Sequence, residues 1–394
     1  MAAHIIADDA EALAVAASLA EEFRAEASAR DVERRLPRAE LDRLSASGLL
    51  AVTVPADHGG ADVSTKTLAE IFRLLAAADA SLAQIPQSHF AYVNVIHRQG
   101  TEEQRKFFFA ELLAGARLGN AQSEAGTKHV QDIRTRLELR PDGAYDLTGI
   151  KHYSTGALFA HWIPVLARTD DDALHVAYVP HDAPGLTVVD DWDGLGQRTT
   201  ASGTVRLEGV HVPADRVLPH HLTFQEPQLH GAVAQLLHAA IDTGIAAGAL
   251  AQAALFVRTK SRPWFESGVE TAAEDPLLIQ QFGELAVQVR ASEALLGDAA
   301  RAVDTARADL TDDTAAKASI AVAASKVMAA RTAVEVAGAL FEVSGTRSAL
   351  NSLNLHRYWR DARTHTLHDP VRWKIQHIGR YVLNDTLPPR HGLL

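Results

Sequence analysis

Leu137-Glu138-Leu139-Arg140-Pro141-Asp142-Gly143-Ala144-Tyr145-Asp146-Leu147-Thr148-Gly149 decides how this 394-residue chain is read. Apolar and polar residues alternate on both sides of an Asp-Gly pair, the pattern of a β-hairpin closed by a tight turn. Trp162–Arg168, Leu174–Pro180, Leu186–Val189 and Gly203–Glu208 follow as short, β-branched segments separated by Asp, Gly or Pro. A β domain, barrel or sandwich, is therefore expected over residues 116–225. On the N-terminal side the period changes. Leu13, Ala16, Ala17, Leu19, Ala20 and Phe23 recur at three and four residues, and Thr101 ahead of Glu102 and Glu103 predicts a helix cap. Residues 1–115 thus read as an α-helical domain. On the C-terminal side helical periodicity returns in four long, Ala-rich segments, broken near 261–263, 310–313 and 345–354. These predict a four-helix bundle over 226–394. The fold class is mainly α with a central β domain.

Composition removes whole classes of function. With no cysteine, disulfide scaffolds, thiolate metal sites, Fe–S clusters and cysteine nucleophiles are excluded. Thirty-eight Lys and Arg against 49 Asp and Glu give a net charge of −11 without a basic tract, so nucleic acid is not an expected partner. The start, Met1-Ala2-Ala3-His4-Ile5-Ile6-Ala7-Asp8-Asp9, turns acidic where a signal peptide needs a basic flank, and a cytoplasmic location is expected. The most apolar run, Ala246–Val257, is interrupted by Gln252 and falls short of the ~20 residues that span a bilayer, so no membrane segment is expected. Small-residue faces such as Ala315–Ala330 predict close helix packing, including packing on a neighbouring subunit.

Five motifs add a resemblance. They are Leu118-Gly119-Asn120-Ala121-Gln122-Ser123-Glu124-Ala125-Gly126-Thr127, Gly149-Ile150-Lys151-His152-Tyr153-Ser154-Thr155-Gly156, Leu195-Gly196-Gln197-Arg198-Thr199, Val210 to Leu218, and Arg357-Tyr358-Trp359-Arg360-Asp361-Ala362-Arg363. In this order, over nearly the whole chain, they resemble the acyl-CoA dehydrogenase superfamily. The departures narrow the resemblance. Where many members carry a glutamate base in a Y-E-G-T segment, this chain reads Leu367-His368-Asp369-Pro370, with the shorter Asp369 at the aligned position. The segments that help hold the adenosine half of FAD read Phe341-Glu342-Val343-Ser344-Gly345 and Arg262-Pro263-Trp264-Phe265-Glu266. That favours FMN over FAD. Thr364-His365-Thr366-Leu367-His368-Asp369-Pro370 and Ile85-Pro86-Gln87-Ser88-His89-Phe90 resemble the superfamily's flavin-dependent monooxygenase branch, which includes the sulfur-acquisition oxygenases.

The resemblance implies a two-component enzyme that receives FMNH2 from a separate flavin reductase. It would add O2 to give a C4a-hydroperoxyflavin, and oxygenate a small, organosulfur substrate as a homotetramer. The implied pocket residues are His365, His368, His89, Asn120, and Thr155 or its neighbour Ser154, with Ser123 on the flavin-side loop. For the flavin phosphate, Arg198, Ser202, Lys374 and the backbone near Gly126 are the candidates. A peroxide needs a donor with a pKa near working pH, which imidazole supplies. His365 and His368, three apart, would share a helical face if the segment is helical. Asp369 then orients a histidine or caps the turn before Pro370. No metal is expected, because His365, His368 and Asp369 lack a further ligand at recognisable spacing. Two other readings stay open: an FAD-dependent acyl-CoA dehydrogenase with Asp369 as base, and a helical assembly protein that has lost its cofactor.

Overall fold

The computed structural model describes residues 3–394. Among the described residues six α-helices form the N-terminal domain: α1 (Asp9–Glu33), α2 (Arg38–Ala46), α3 (Thr65–Ala78), α4 (Ala80–Gln84), α5 (Gln87–Gln99) and α6 (Glu102–Leu113). Local chemistry sets their starts. Asp8 accepts from Glu11 N at α1, Thr101 and Gln104 form the capping box expected at α6, and Asp79 accepts from Ser81 N and Leu82 N. Asp79 thereby ends α3 and begins α4 at one residue.

Seven strands make one sheet in the order β5-β6-β2-β1-β3-β4-β7. They are β1 (Arg136–Leu139), β2 (Tyr145–Lys151), β3 (Trp162–Arg168), β4 (Leu174–Pro180), β5 (Leu186–Val189), β6 (Thr204–Val212) and β7 (Val217–Leu218). The first two are the expected hairpin, with Leu137 facing Leu147, both fully buried, and Gly143 at φ 86 in the turn. β6 runs on to Val212, beyond the expected Glu208, because Val210 and Val212 continue the alternation into the core. Leu118 and Ala121 bridge in parallel to Trp162 and Val165, which fixes Asn120 at the sheet's margin.

The C-terminal part departs from four long helices. Three are long, α7 (His230–Lys260), α8 (Pro276–Ala308) and α9 (Asp312–Ser344), but the fourth segment is split into α10 (His356–His365) and α11 (Val371–Asn384). Pro370 has no N–H to give and disfavours the helical conformation at Asp369, so the chain turns there. The Ala-rich face of α9 is also not an outer surface. Ala315, Ala318, Ala329 and Ala330 are buried within the chain, where α9 packs on α7 and α8. Large exposed apolar side chains lie instead on α8 (Leu277, Val287) and α11 (Val382, Leu383). By length and composition α7 is long and apolar enough to cross a membrane, which the shorter run read from sequence did not suggest. Its most apolar window is 67% buried inside the protein, as in a core helix.

Helix α3 lies directly on α7. A methyl group at Gly244 would run into the Arg73 carbonyl, and one at Gly248 into that of Ala77. This close approach carries α4, just beyond α3, over the middle of α7.

Candidate active site

The turn between α10 and α11 carries the two C-terminal histidines. His365 is the last residue of α10; His368 N–H and Nδ1 both donate to the His365 carbonyl, at 3.2 and 2.7 Å. The pair is therefore joined by a turn and does not share a helical face. His365 is completely buried. Its Nδ1 lies 2.5 Å from Asp242 Oδ1 on α7, and Lys326 Nζ on α9 donates to Asp242 Oδ2 at 2.7 Å. Its Nε2 lies 3.0 Å from Gln84 Oε1 on α4 and 3.1 Å from His238 Nδ1 on α7. The amide nitrogen of Gln84 then reaches His368 Nε2 at 3.2 Å. Lysine, aspartate, three histidines and a glutamine from four helices and a turn form one chain of contacts.

Electrostatics follows from burial opposed by pairing. Burial pushes the Asp242 carboxyl up, but Lys326 and His365 outweigh it and hold it down at about 2. Burial lowers His365 against the pull of Asp242. It takes His238 well below the ordinary histidine range, helped by the two rings beside it. His368 is exposed on one flank; desolvation where it packs on the others, then His365, bring it to about 4. Asp369 orients no histidine. Its carboxylate is buried against Lys374 Nζ at 2.9 Å, and Lys374 also donates to the Leu393 carbonyl. Lys374 is thus shared between Asp369 and the Leu393 carbonyl, and the Asp369 oxygens, buried, make no other contact than this ion pair. Three nitrogens of His238, His365 and His368 converge within 4.8 Å, but the two Nε2 atoms turn to Gln84, which a cation would have to displace.

The β domain closes on the same place. Ile85, next after Gln84, sets its carbonyl beside Gly156, and Gly119 packs on Ala157, so the Asn120 and Ser154–Thr155 segments adjoin. Asn120 Oδ1 and Ser154 Oγ are both buried without a hydrogen-bond partner. Thr155 Oγ1 contacts Ser202 Oγ at 2.7 Å, which contacts Thr200 Oγ1 at 2.8 Å. Ser123 is half-buried, and its carbonyl accepts from His152 N–H. Two orphaned polar atoms beside a hydroxyl row suit a heteroaromatic ring with alternating donors and acceptors, as in a flavin, since such atoms are rarely left unmade. A small, mostly apolar cavity of ≈ 10 Å³, room for about one water, adjoins between Leu41, Leu44, Ile85, Gly156 and Phe159.

Two other expected ligands are committed elsewhere. His89 Nε2 donates to the Leu50 carbonyl at 2.7 Å while its Nδ1 accepts from Leu118 N–H at 3.0 Å, and burial takes it to about 4. Both its ring nitrogens are spent on backbone groups, and it ties α5 to the β domain. The Arg198 guanidinium donates to the Asp31 and Val32 carbonyls at the end of α1. The Tyr92 hydroxyl, also unpartnered, belongs to a separate apolar cluster with Phe108 and Tyr178. Sequence reasoning missed Gln84, His238, Asp242 and Lys326. A signal existed: single opposite charges in the apolar stretches around Ile241-Asp242-Thr243 and Ser325-Lys326-Val327.

Models of the acyl-CoA dehydrogenase N-terminal, middle and C-terminal domains match residues 9–116, 119–210 and 236–373. The chain belongs to the acyl-CoA dehydrogenase superfamily, in its flavin-dependent monooxygenase branch. Among its relatives, dibenzothiophene monooxygenase of Rhodococcus erythropolis is 34% identical over 97% of this chain and 95% of its own. The FMN-bound crystal structure of dibenzothiophene monooxygenase from Paenibacillus sp. A11-2 superposes with a TM-score of 0.92 at 34% identity, covering 97% of this chain and 100% of that one. Methanesulfinate monooxygenase of Pseudomonas fluorescens gives 0.90 at 31%, over 97% and 99%.

Proposed function

We propose that this monooxygenase uses reduced FMN and O2 to oxygenate a small organosulfur compound, in the cytoplasm, as a homotetramer supplied by a separate diffusing flavin reductase. The observation that carries the reading is the His238–His365–His368 cluster at the α10–α11 turn, where a dehydrogenase would need a free carboxylate and Asp369 is instead locked on Lys374. Reduced flavin, when bound, supplies the activated oxygen. Asn120, Ser154 and Thr155 would hold the ring edge, with Ser123 and the backbone near Gly126 as further contacts. His368, open on one flank, holds a proton where oxygen transfer needs one, while Asp242 and Lys326 fix the His365 ring behind it. The apolar side chains of Leu41, Leu44, Ile85 and Phe159 would keep water from that edge. Exposed Leu277, Val287, Val382 and Leu383 support burial of α8 and α11 between subunits.

The test is anaerobic loading with FMNH2, then mixing with 18O2 in the presence of dibenzothiophene or methanesulfinate. One 18O atom in the product is expected. Tightly bound FAD bleached by a CoA thioester, without oxygen incorporation, would return the chain to the dehydrogenases.

A further inference from the structure

His365 and His368 each have one ring nitrogen committed. A hydrogen sits in the contact between His365 Nδ1 and Asp242 Oδ1, at 2.5 Å, and His368 Nδ1 must carry one to meet the His365 carbonyl at 2.7 Å. The other nitrogen of each ring faces opposite ends of a single amide: His365 Nε2 lies 3.0 Å from Gln84 Oε1, and His368 Nε2 lies 3.2 Å from Gln84 Nε2; His365 Nε2 also lies 3.1 Å from His238 Nδ1, which as a neutral imidazole nitrogen meets it as donor or acceptor and leaves the demand of the amide unchanged. An amide presents an acceptor at one end and a donor at the other. One imidazole must therefore offer it an N–H and the other a lone pair, and the ring that offers the N–H carries hydrogen on both nitrogens. Turning the amide over exchanges the two rings and leaves the count unchanged. With both rings singly protonated, one contact would set acceptor against acceptor at hydrogen-bond distance.

We infer that Gln84 is a positioning residue through which His365 and His368 hold one proton in common, the sense of its amide deciding which ring carries it. The inference rests on the monooxygenase reading for its use, delivery of a proton at His368. Neighbours from every packed element bear on that proton. Asp242 on α7 and Asp369 in the turn favour it at His365; Lys326 on α9 opposes it, as does Lys374 on α11 toward the third ring; and His238 on α7, driven neutral by burial, adds no charge. Burial lowers both rings, whereas the otherwise mismatched amide contact favours the extra proton. The proton is poised to leave rather than fixed.

The test follows imidazole NMR signals against pH in flavin-free, histidine-labelled protein. In the wild type His365 and His368 are expected to titrate together, with one midpoint. Gln84→Leu removes the bridge and should lower that midpoint by about one pH unit, the worth of one hydrogen bond to a charged group. Gln84→Glu places a carboxylate between the rings and should raise it by at least about as much. A merely structural role would not move the midpoint in opposite directions from one position. In the FMN-loaded enzyme, the pH profile of product formed per O2 consumed should shift the same two ways. Midpoints that hold to within about 0.3 of a pH unit in both variants, or move in the same direction, overturn the inference. If Gln84→Leu does not fold, Gln84→Met serves as the apolar variant. Wild-type protein that incorporates no oxygen refutes the monooxygenase reading alone, because the histidine titration needs no flavin.

Discussion

Replacing Asp242 with asparagine removes the carboxylate that faces Lys326 at 2.7 Å and His365 at 2.5 Å while keeping the side chain's shape. Asp242, Lys326 and His365 are all about fully buried, so solvent cannot stand in for the lost partner. Breaking a buried pair from one side costs about 3–5 kcal/mol, mostly from the charge left behind. Asp242→Asn should therefore lower the urea midpoint of the flavin-free protein strongly, and Lys326→Met added to it should recover much of the loss. The same pair gives a pH signature. The Asp242 carboxyl is depressed from 3.8 to about 2 in the folded state. Its contribution is thus fully present above pH ~4 and lost as pH falls towards ~2, amounting to roughly 2 kcal/mol. Urea unfolding of wild type, both single variants and the double variant, at pH ~7 and again down to pH ~2.5, measures all of this. A single Asp242→Asn variant within about 1 kcal/mol of wild type, or a double variant no more stable than the single, would refute the buried-pair reasoning.

Three further outcomes are expected. His368→Ala should retain fold and FMN binding, since its ring is open on one flank, but divert O2 to hydrogen peroxide; a Clark electrode with a peroxide assay measures the ratio, and unchanged coupling removes His368 from the chemistry. Ser154→Ala deletes a hydroxyl that has no partner within the protein, so stability should hold while FMN affinity falls about five- to tenfold, the worth of one hydrogen bond; fluorescence titration decides, and unaltered affinity would take Ser154 out of the pocket. Lys374→Met should leave FMN affinity within about twofold yet destabilise the protein by about 3 kcal/mol, because Asp369 loses its buried partner; a large loss of affinity would restore Lys374 as a phosphate ligand.

The β-hairpin and the Thr101 cap were legible because both are local: an Asp-Gly turn and a hydroxyl three residues from Gln104 specify their geometry without help from the rest of the chain. The split of the last helix at Pro370 was masked by the apolar period that resumes beyond it. Within the site, His365 and His368 were legible from their spacing and motif, but their partners come from 127 and 281 positions away and are set by how α3 seats on α7. His89 and Arg198 have the right chemistry for a ligand but here meet backbone groups of distant segments, and Lys374 meets Asp369 and the Leu393 carbonyl, contacts that no sequence pattern announces.

The seat of α3 on α7 has a further consequence for laboratory evolution. His238 and Asp242 sit one turn apart on α7 and hold the His365 ring, and Gln84 reaches His365 and His368 from just past the end of α3, so the width of that helix contact sets the reach of the amide. Gly244 and Gly248 leave no clearance to widen it without moving Gln84. Screens for altered acceptor range or coupling should therefore recover substitutions along the α3–α7 seam, in the hydrophobic interior, as often as around the pocket. Such variants would shift His365 and His368 from a distance, without touching either ring.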